Sequence, residues 1–527
     1  MRAPSRLPTC IPNLARAERI MASCKAVRAG HNGLIMGSMK PTRRDVIRCG
    51  PIALASVRAR LLAQEDIEVN DVHSQLNRTR VARVVRPETL DQLRAAILQA
   101  RREGLAVSVS GSRHSMGGQQ FGTGMLLLDT RGLNRVIELD PANRIIEADA
   151  GIEWPELLSD LSGRQTGSQS QLGIFQKQTG ADRLSLGGAL ASNVHGRGLN
   201  LKPIINDVES FELMNASGEI VRCDRSLNSE LFRLAIGGYG LFGVVTSVRL
   251  RLRPRIKVRR VVKIEDLHDI PGAFTERIRD GYLYGDYQFA TDSGRDSFLR
   301  RGVFSCYQPV DESTPLTENP TRFHPADWAR LTEYSHTHKK LAFDFYTKRY
   351  LATSGQVYYH DWQLSAAYQP DYHLELDLKM HAKAKATEMI TEIYVPKSAL
   401  VDFMEEARLM LREQKANVIY GTVRLIEKDE ESFLGWARES WACVIFNLHV
   451  THDAVGLQSA ARTFRGLIDL GIHYDGSYYL TYHRWAMKRQ VESCYPQFRE
   501  FLAKKREYDP AEQFQSDWYA HHKGLLS

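Results

Sequence analysis

The chain has 527 residues, 43% hydrophobic and 25% charged, with no long Pro-, Gly- or Ser-rich tract; this excludes a disordered or fibrous protein and exceeds what one hydrophobic core serves, so two or three domains are expected. The formal charge of +8 would suit a nucleic-acid partner, but through Gln64 ten Arg and two Lys face only Glu18 and Asp45. Subtracting that +10 leaves about −2 for everything after Gln64, so nucleic acid is not an expected partner.

Residues 1–64 read as a basic leader. From Met39, a second candidate start, the chain runs through Arg43-Arg44 into a modestly apolar stretch, as in a degenerate twin-arginine export signal. A cytoplasmic protein with a basic tail fits the leader as well, because Arg58 and Arg60 interrupt the apolar run. No run of about 18 apolar residues occurs, so no transmembrane span is expected. Of seven cysteines none forms a CxxC pair, so buried free thiols are expected rather than a zinc or dithiol centre.

Residues 80–86 alternate as a strand and stop at Pro87. A helix follows, with Thr89 and Gln92 at capping-box spacing, Leu90, Leu93, Ala96, Ile97 and Ala100 on one face, and Gly104 ending it. Residues 105–110 form the next strand and deliver the loop Gly111-Ser112-Arg113-His114-Ser115-Met116-Gly117-Gly118. Short strands are expected at 125–129, 135–139 and 144–148. Glycines return in Ser185-Leu186-Gly187-Gly188, with Ser192, Asn193, His195 and Gly196 just beyond. Strands 208–215 and 219–223 flank the hairpin turn Ser217-Gly218, and a helix near 229–235 precedes Gly237 to Gly243 and a strand ending at Pro254.

Gly238-x-Gly240-x-x-Gly243 fits the dinucleotide fingerprint in letters but not in order. That motif needs a strand before and a helix after, and here the helix precedes. A nicotinamide-type site is therefore rejected. The loop 111–118 is the better anion cradle, since successive backbone N–H groups there lack bulky neighbours. Together with the Ser185 segment and Gly237 to Val245, in this order and spacing, it resembles the vanillyl-alcohol oxidase and p-cresol methylhydroxylase superfamily of FAD proteins over roughly residues 75–254.

That resemblance implies an α+β fold: a two-subdomain FAD-binding domain (75–254), an α+β substrate or cap domain with an antiparallel sheet (255–470) and a C-terminal segment (471–527) returning to the first. It implies FAD contacts from Gly111, Ser112, Arg113, His114, Ser115, Ser185, Gly188, Ser192, His195, Gly196 and Val245. His114 would bond the flavin 8α-methyl carbon. A His that only hydrogen-bonds within the turn, with FAD held noncovalently, is the alternative, and His195 has a bland alternative as a cap of backbone carbonyls. Bicovalent relatives use a cysteine in the second glycine region, and residues 173–198 contain none.

The second domain more loosely resembles the sugar-alcohol and aldonolactone oxidases. Where alditol oxidases carry Glu-x-Arg, this chain has Thr422-Val423-Arg424; their later His segment ending in Lys corresponds to Tyr482-His483-Arg484-Trp485. Strand alternation places Tyr420, Thr422 and Arg424 on one face, and Asn447 and His449 on another polar face. Arg424 is the expected electrostatic partner and His483 or His449 the expected base, with Glu392 and Asn447 as further candidates; each of these also has an ordinary structural reading. The His336 to Lys340 cluster reads as a solvated loop without acidic partners, so no metal site is expected. The expected activity is FAD-dependent oxidation of a CH–OH donor, with electrons passed to oxygen or another acceptor. Oxidation of a cytokinin-like CH–NH donor, or electron transfer without a small donor, are the alternatives.

Overall fold

The computed structural model describes residues 67–362 and 372–527; the leader readings lie outside the described residues. Strands β1 (Ile67–Val69) and β2 (Thr79–Val81) pair as a short antiparallel ribbon, and β3 (Arg83–Val85) enters a parallel sheet. Ala82 separates β2 from β3, so the single strand expected at 80–86 is split. Helix α1 (Leu90–Glu103) starts where the Thr89 hydroxyl accepts the Gln92 N–H and ends at Gly104, left-handed at φ 69°. Its Leu93, Ala96, Ile97 and Ala100 are buried against β4 (Val107–Ser110) and β5 (Leu126–Asp129). The sheet order is β3-β5-β4, all parallel. β5, an apolar run covered on both faces, is buried throughout.

Strands β6 (Val136–Asp140) and β7 (Ile145–Asp149) belong to an antiparallel sheet flanked by α2 (Trp154–Arg164) and, after β8 (Leu172–Gly173), by α3 (Leu186–Ala191). With β9 (Val208–Met214), β10 (Ile220–Asp224) and β11 (Val244–Arg251) the sheet order is β10-β9-β11-β7-β6. Helix α4 (Ser229–Ala235) precedes Gly238 and β11 follows Gly243, the reverse of the nicotinamide-fold order. A Cβ on Gly238 would lie 2.1 Å from the Leu234 carbonyl oxygen, so this glycine serves close packing of the chain on its own helix.

After the short β12 (Arg253–Pro254), an eight-stranded antiparallel sheet begins with β13 (Lys257–Asp266), and helix α5 (Ile270–Arg279) leads into β14 (Tyr284–Phe289) and β15 (Arg301–Pro309). Helices α6 (Pro325–Thr337) and α7 (Lys339–Leu351), strand β16 (Val357–Tyr359) and helix α8 (Tyr372–Lys379) come next. Strands β17 (Ala386–Pro396), β18 (Val418–Ile426) and β19 (Trp441–Thr451) are interleaved with α9 (Leu400–Glu413) and α10 (Ala454–His473), and β20 (Ser477–Tyr478) is the edge. The order is β16-β13-β15-β14-β18-β19-β17-β20. One face carries Met389 and Ile393 against the apolar sides of α9 and α10; the other carries Ile390 and Glu392. Period-two alternation thus gives each long strand a dry face and a face available for chemistry.

Helices α11 (Lys488–Cys494), α12 (Phe498–Tyr508) and α13 (Asp517–Leu526) end the chain. Between the last two, Phe514 pairs in parallel with Val107, and Asp509 accepts the backbone N–H groups of Gln513 and Phe514. Cys223, Cys306, Cys443 and Cys494 are buried free thiols. Among the described residues no helix is long and apolar enough to cross a membrane.

Two histidines in this core make stability depend on pH. His483 and His522 are 2% and 1% exposed, and burial pushes both down to about 3. Unfolding lets each regain an ordinary value near 6.5, so the unfolded chain takes up protons that the folded one refuses. The stability present above that value is therefore lost as pH falls, by about 3 kcal/mol for the pair between pH 6.5 and 5. Urea midpoints at the two pH values should show this loss, and it should shrink in His522→Gln; equal midpoints would refute it.

Candidate active site

The loop after β4 and the turn before α3 are in contact because both lack bulk. A Cβ on Gly111 would sit 1.9 Å from Ser185 Oγ, whose oxygen accepts the Gly188 N–H at 3.3 Å. Three non-glycine residues of the glycine-rich segments adopt left-handed backbone: Arg113 (φ 61°) in the loop after β4, Asn193 (φ 47°) after α3 and Tyr239 (φ 54°) after α4. Such strain persists only where surroundings impose it. Asn193 is fixed by Asp429, by the Ile205 N–H and by the Trp436 indole, which donates to its carbonyl. Gly111→Ala should disrupt this contact. We expect loss of about 1–3 kcal/mol of stability with impaired flavin retention, read from melting temperature and bound-flavin absorbance.

These turns wall a cavity of about 500 Å³, within the range of cofactor and substrate sites. Gly111, Ser112, Arg113, His114, Ser115, Ser185, Gly188, Ser192, His195 and Val245 all line it. Gly196 does not; a Cβ there would lie 2.5 Å from the Lys177 carbonyl oxygen, so its role is close backbone packing. Ser112 Oγ donates to Glu153, and Arg113 pairs with Asp129 at 3.4 Å. The protein around His114 pushes its imidazole down to about 4, chiefly by burial and secondarily through His73.

The opposite wall is the open face of the eight-stranded sheet. Asp286 and Gln288 come from β14, Tyr420 and Arg424 from β18, Ile445 and Asn447 from β19, and Ile390 and Glu392 from β17. Cross-strand register sets Glu392 opposite Ile445, Ile390 opposite Asn447, and Tyr420 opposite Asn447. Glu392 is 1% exposed; His195 Nε2 lies 2.6 Å from its Oε1, and the Tyr482 hydroxyl donates to Oε2 at 3.4 Å. His195 Nδ1 faces the Gly196 carbonyl at 3.1 Å. His195 therefore both caps a backbone carbonyl and joins the glycine region to the sheet. Burial pushes Tyr420 up to about 12 and Tyr482 well above the usual phenol range, so both remain hydrogen-bond donors.

Two expected bases lie elsewhere. His483 is packed with Phe464, Tyr478 and Trp485, its Nε2 3.3 Å from Thr391 Oγ1 on the helix-covered face of β17. Its neighbour Tyr482 reaches the cavity instead. His449 shares the face of Asn447 but turns to Glu388, 3.5 Å away, and does not line the cavity. Arg424, Asn447 and Glu392 do line it. The reading of residues 336–340 as a solvated loop is also corrected: His336 lies in the last turn of α6, is buried and sits 2.6 Å from Glu388, and Lys339-Lys340 open α7. Sequence reasoning missed Asp286, Gln288, Gln119, Gln120 and the aromatic roof Trp328, Tyr346 and Tyr350. Only Gln119-Gln120 carried a signal, directly after Gly117-Gly118.

Residues 81–224 match the family model described as an FAD binding domain. An oxidoreductase of the fasciation locus of Rhodococcoides fascians is 31% identical over 34% of this chain and 40% of its own length. Cytokinin dehydrogenase 4 of Oryza sativa subsp. japonica is 26% identical over 48% of this chain and 46% of its own. These alignments span under half of either relative. L-gulono-1,4-lactone dehydrogenase of Mycobacterium tuberculosis is 21% identical, over 82% of this chain and 94% of its own length. Residues 81–224 thus carry an FAD-binding domain, and the chain is similar to aldonolactone and cytokinin oxidoreductases.

Proposed function

We propose that the protein is an FAD-dependent oxidoreductase that oxidises a CH–OH donor, a sugar alcohol, aldonolactone or related hydroxylated compound, and passes the electrons to oxygen or another acceptor. In this reading the sheets ending in β5 and β11 are the two halves of the FAD-binding domain, the eight-stranded sheet belongs to the substrate domain, and the residues after 471 return to the first. The observation that carries it is the set of polar groups gathered on one open sheet face opposite the glycine turns: Glu392 held by His195 and Tyr482, with Arg424 and Asn447 nearby.

The cavity suits the cofactor. Buried polar atoms in its wall, Gln119 Oε1, Gln120 Oε1, Thr179 Oγ1, Arg424 Nε and Asn447 Oδ1, have no hydrogen-bond partner among the described residues. Leaving such atoms unmet costs about 1–3 kcal/mol each, which a polar ligand would offset. The turns at Gly111 and Ser185 would hold the dinucleotide, and His114 would be the attachment point. When bound, FAD supplies the acceptor for the donor's hydride. Glu392 would take the donor's hydroxyl proton, Asn447 Oδ1 would accept a substrate hydroxyl, and Arg424 would face the negative charge that builds on its side of the cavity.

The apolar patches from Trp328, Leu331, Ile390 and Ile445 in the same wall favour a second reading, oxidation of a CH–NH donor of the cytokinin type. Anaerobic bleaching of the flavin by polyols, aldonolactones and amines separates the two. Bleaching by a polyol or lactone is expected. Bleaching by amines alone would overturn the first reading, and reduction only by a protein partner would overturn both.

A further inference from the structure

Outside the residues assigned to oxidation, one buried carboxylate gathers more imidazoles than a structural ion pair needs. Glu388, 1% exposed on β17, has His336 Nε2 of α6 at 2.6 Å and His449 Nδ1 of β19 at 3.5 Å from Oε1. His373 Nδ1 of α8 lies 3.2 Å from Oε2, and Tyr372 donates to the same oxygen. The donor atoms of His336, Glu388 and His449 all lie within 4.8 Å of one another.

His336 is turned as a ligand of a shared cation would be. Its Nδ1 faces the Thr332 carbonyl at 2.8 Å, an acceptor only, so the ring's N–H is committed there. At 2.6 Å from a carboxylate oxygen, Nε2 then needs either a second proton on the ring or a metal ion between the two. His195 meets Gly196 and Glu392 in the same way; what sets His336 apart is that its carboxylate also faces the imidazoles of His449 and His373, while its far nitrogen is held by a backbone carbonyl as in metal ligands with an outer partner. Two imidazoles and a carboxylate suit zinc and its divalent first-row neighbours rather than calcium or magnesium.

We propose that His336, Glu388 and His449 bind a divalent transition-metal ion of the zinc class, with His373 placed to complete or adjust the coordination. The ion ties α6 and α8 to β17 and β19, beside Thr332 and Tyr372, which line the oxidation cavity. The site uses none of the residues assigned to the flavin or donor, so it stands or falls independently of the proposed activity.

The test is metal analysis of the full-length flavoprotein, together with zinc titration against a chromophoric chelator and zinc-edge X-ray absorption. One zinc per chain is expected, with nitrogen and oxygen neighbours at about 2.0–2.2 Å and a higher melting temperature with zinc than after chelation. His336→Ala and His449→Ala should each weaken binding by about 100-fold or more, while His268→Ala, a change at an exposed His–Asp pair, should leave it unchanged. Flavin content and circular dichroism establish that a variant is folded. If the His336 variant does not fold, the absorption spectrum of the wild type decides. Absence of stoichiometric binding by the folded wild type would overturn the proposal, as would binding unaltered in both ligand variants. A sulfur neighbour at about 2.3 Å would also overturn it, because it would move the ion to His195, Glu392 and Cys443, the other group with metal-ligand spacing among the described residues.

Discussion

Replacing His114 by alanine is expected to take flavin attachment from one per chain to none. Acid-precipitated wild type should keep its yellow colour, whereas His114→Ala should release FAD to the supernatant. The ring must offer an uncharged nitrogen lone pair to the electrophilic methyl carbon. An imidazole that burial holds near 4 is neutral at pH 7, the form the linkage requires. Gly111, Ser185 and the unsatisfied glutamines remain in the variant, so noncovalent FAD should still be bound before precipitation and the folded protein should stay yellow. Colour washing out of wild type would refute the linkage. Colour surviving acid precipitation in the variant would place it on another residue.

Local chemistry was legible where it was short in sequence. The Thr89 hydroxyl and Gly104 bound α1 as their types dictate, and the reversed order around Gly238 was enough to reject a nicotinamide site. Alternation placed Arg424 with Tyr420, and Asn447 with His449, because nine- and eleven-residue strands leave no doubt about faces. The same reasoning failed at Tyr482-His483: β20 ends at Tyr478, so no ladder fixes which of the pair turns inward, and the buried ring stacked on Phe464 proved to be the histidine. His336 was misread because its partner Glu388 lies 52 residues away. Likewise Asp286 and Gln288 reach the cavity from β14, whose near-uniform burial hides any amphipathic signal. Pairing at that separation is set by sheet order, which single-strand periodicity does not encode.

The largest effect on turnover is expected at Glu392. Glu392→Gln keeps an oxygen for His195 or Tyr482 but removes the ability to take a proton, and flavin reduction by the best donor should slow by about 10²–10⁴-fold, with FAD content retained. Arg424→Met should cost about 10²–10³-fold, as loss of an electrostatic partner in a water-poor site does. Because both act on one developing charge distribution, the double variant should fall well short of the product of the single effects. A structural role for Glu392 predicts something different: His195 would lose its charged partner, the link from the glycine region to β17 would loosen, and melting temperature and FAD affinity would drop together with rate. Anaerobic stopped-flow separates the cases. A reduction rate lost at saturating donor with unchanged melting temperature assigns proton transfer to Glu392, whereas an unchanged rate would remove it from the chemistry and leave Asp286 as the other carboxylate on that face.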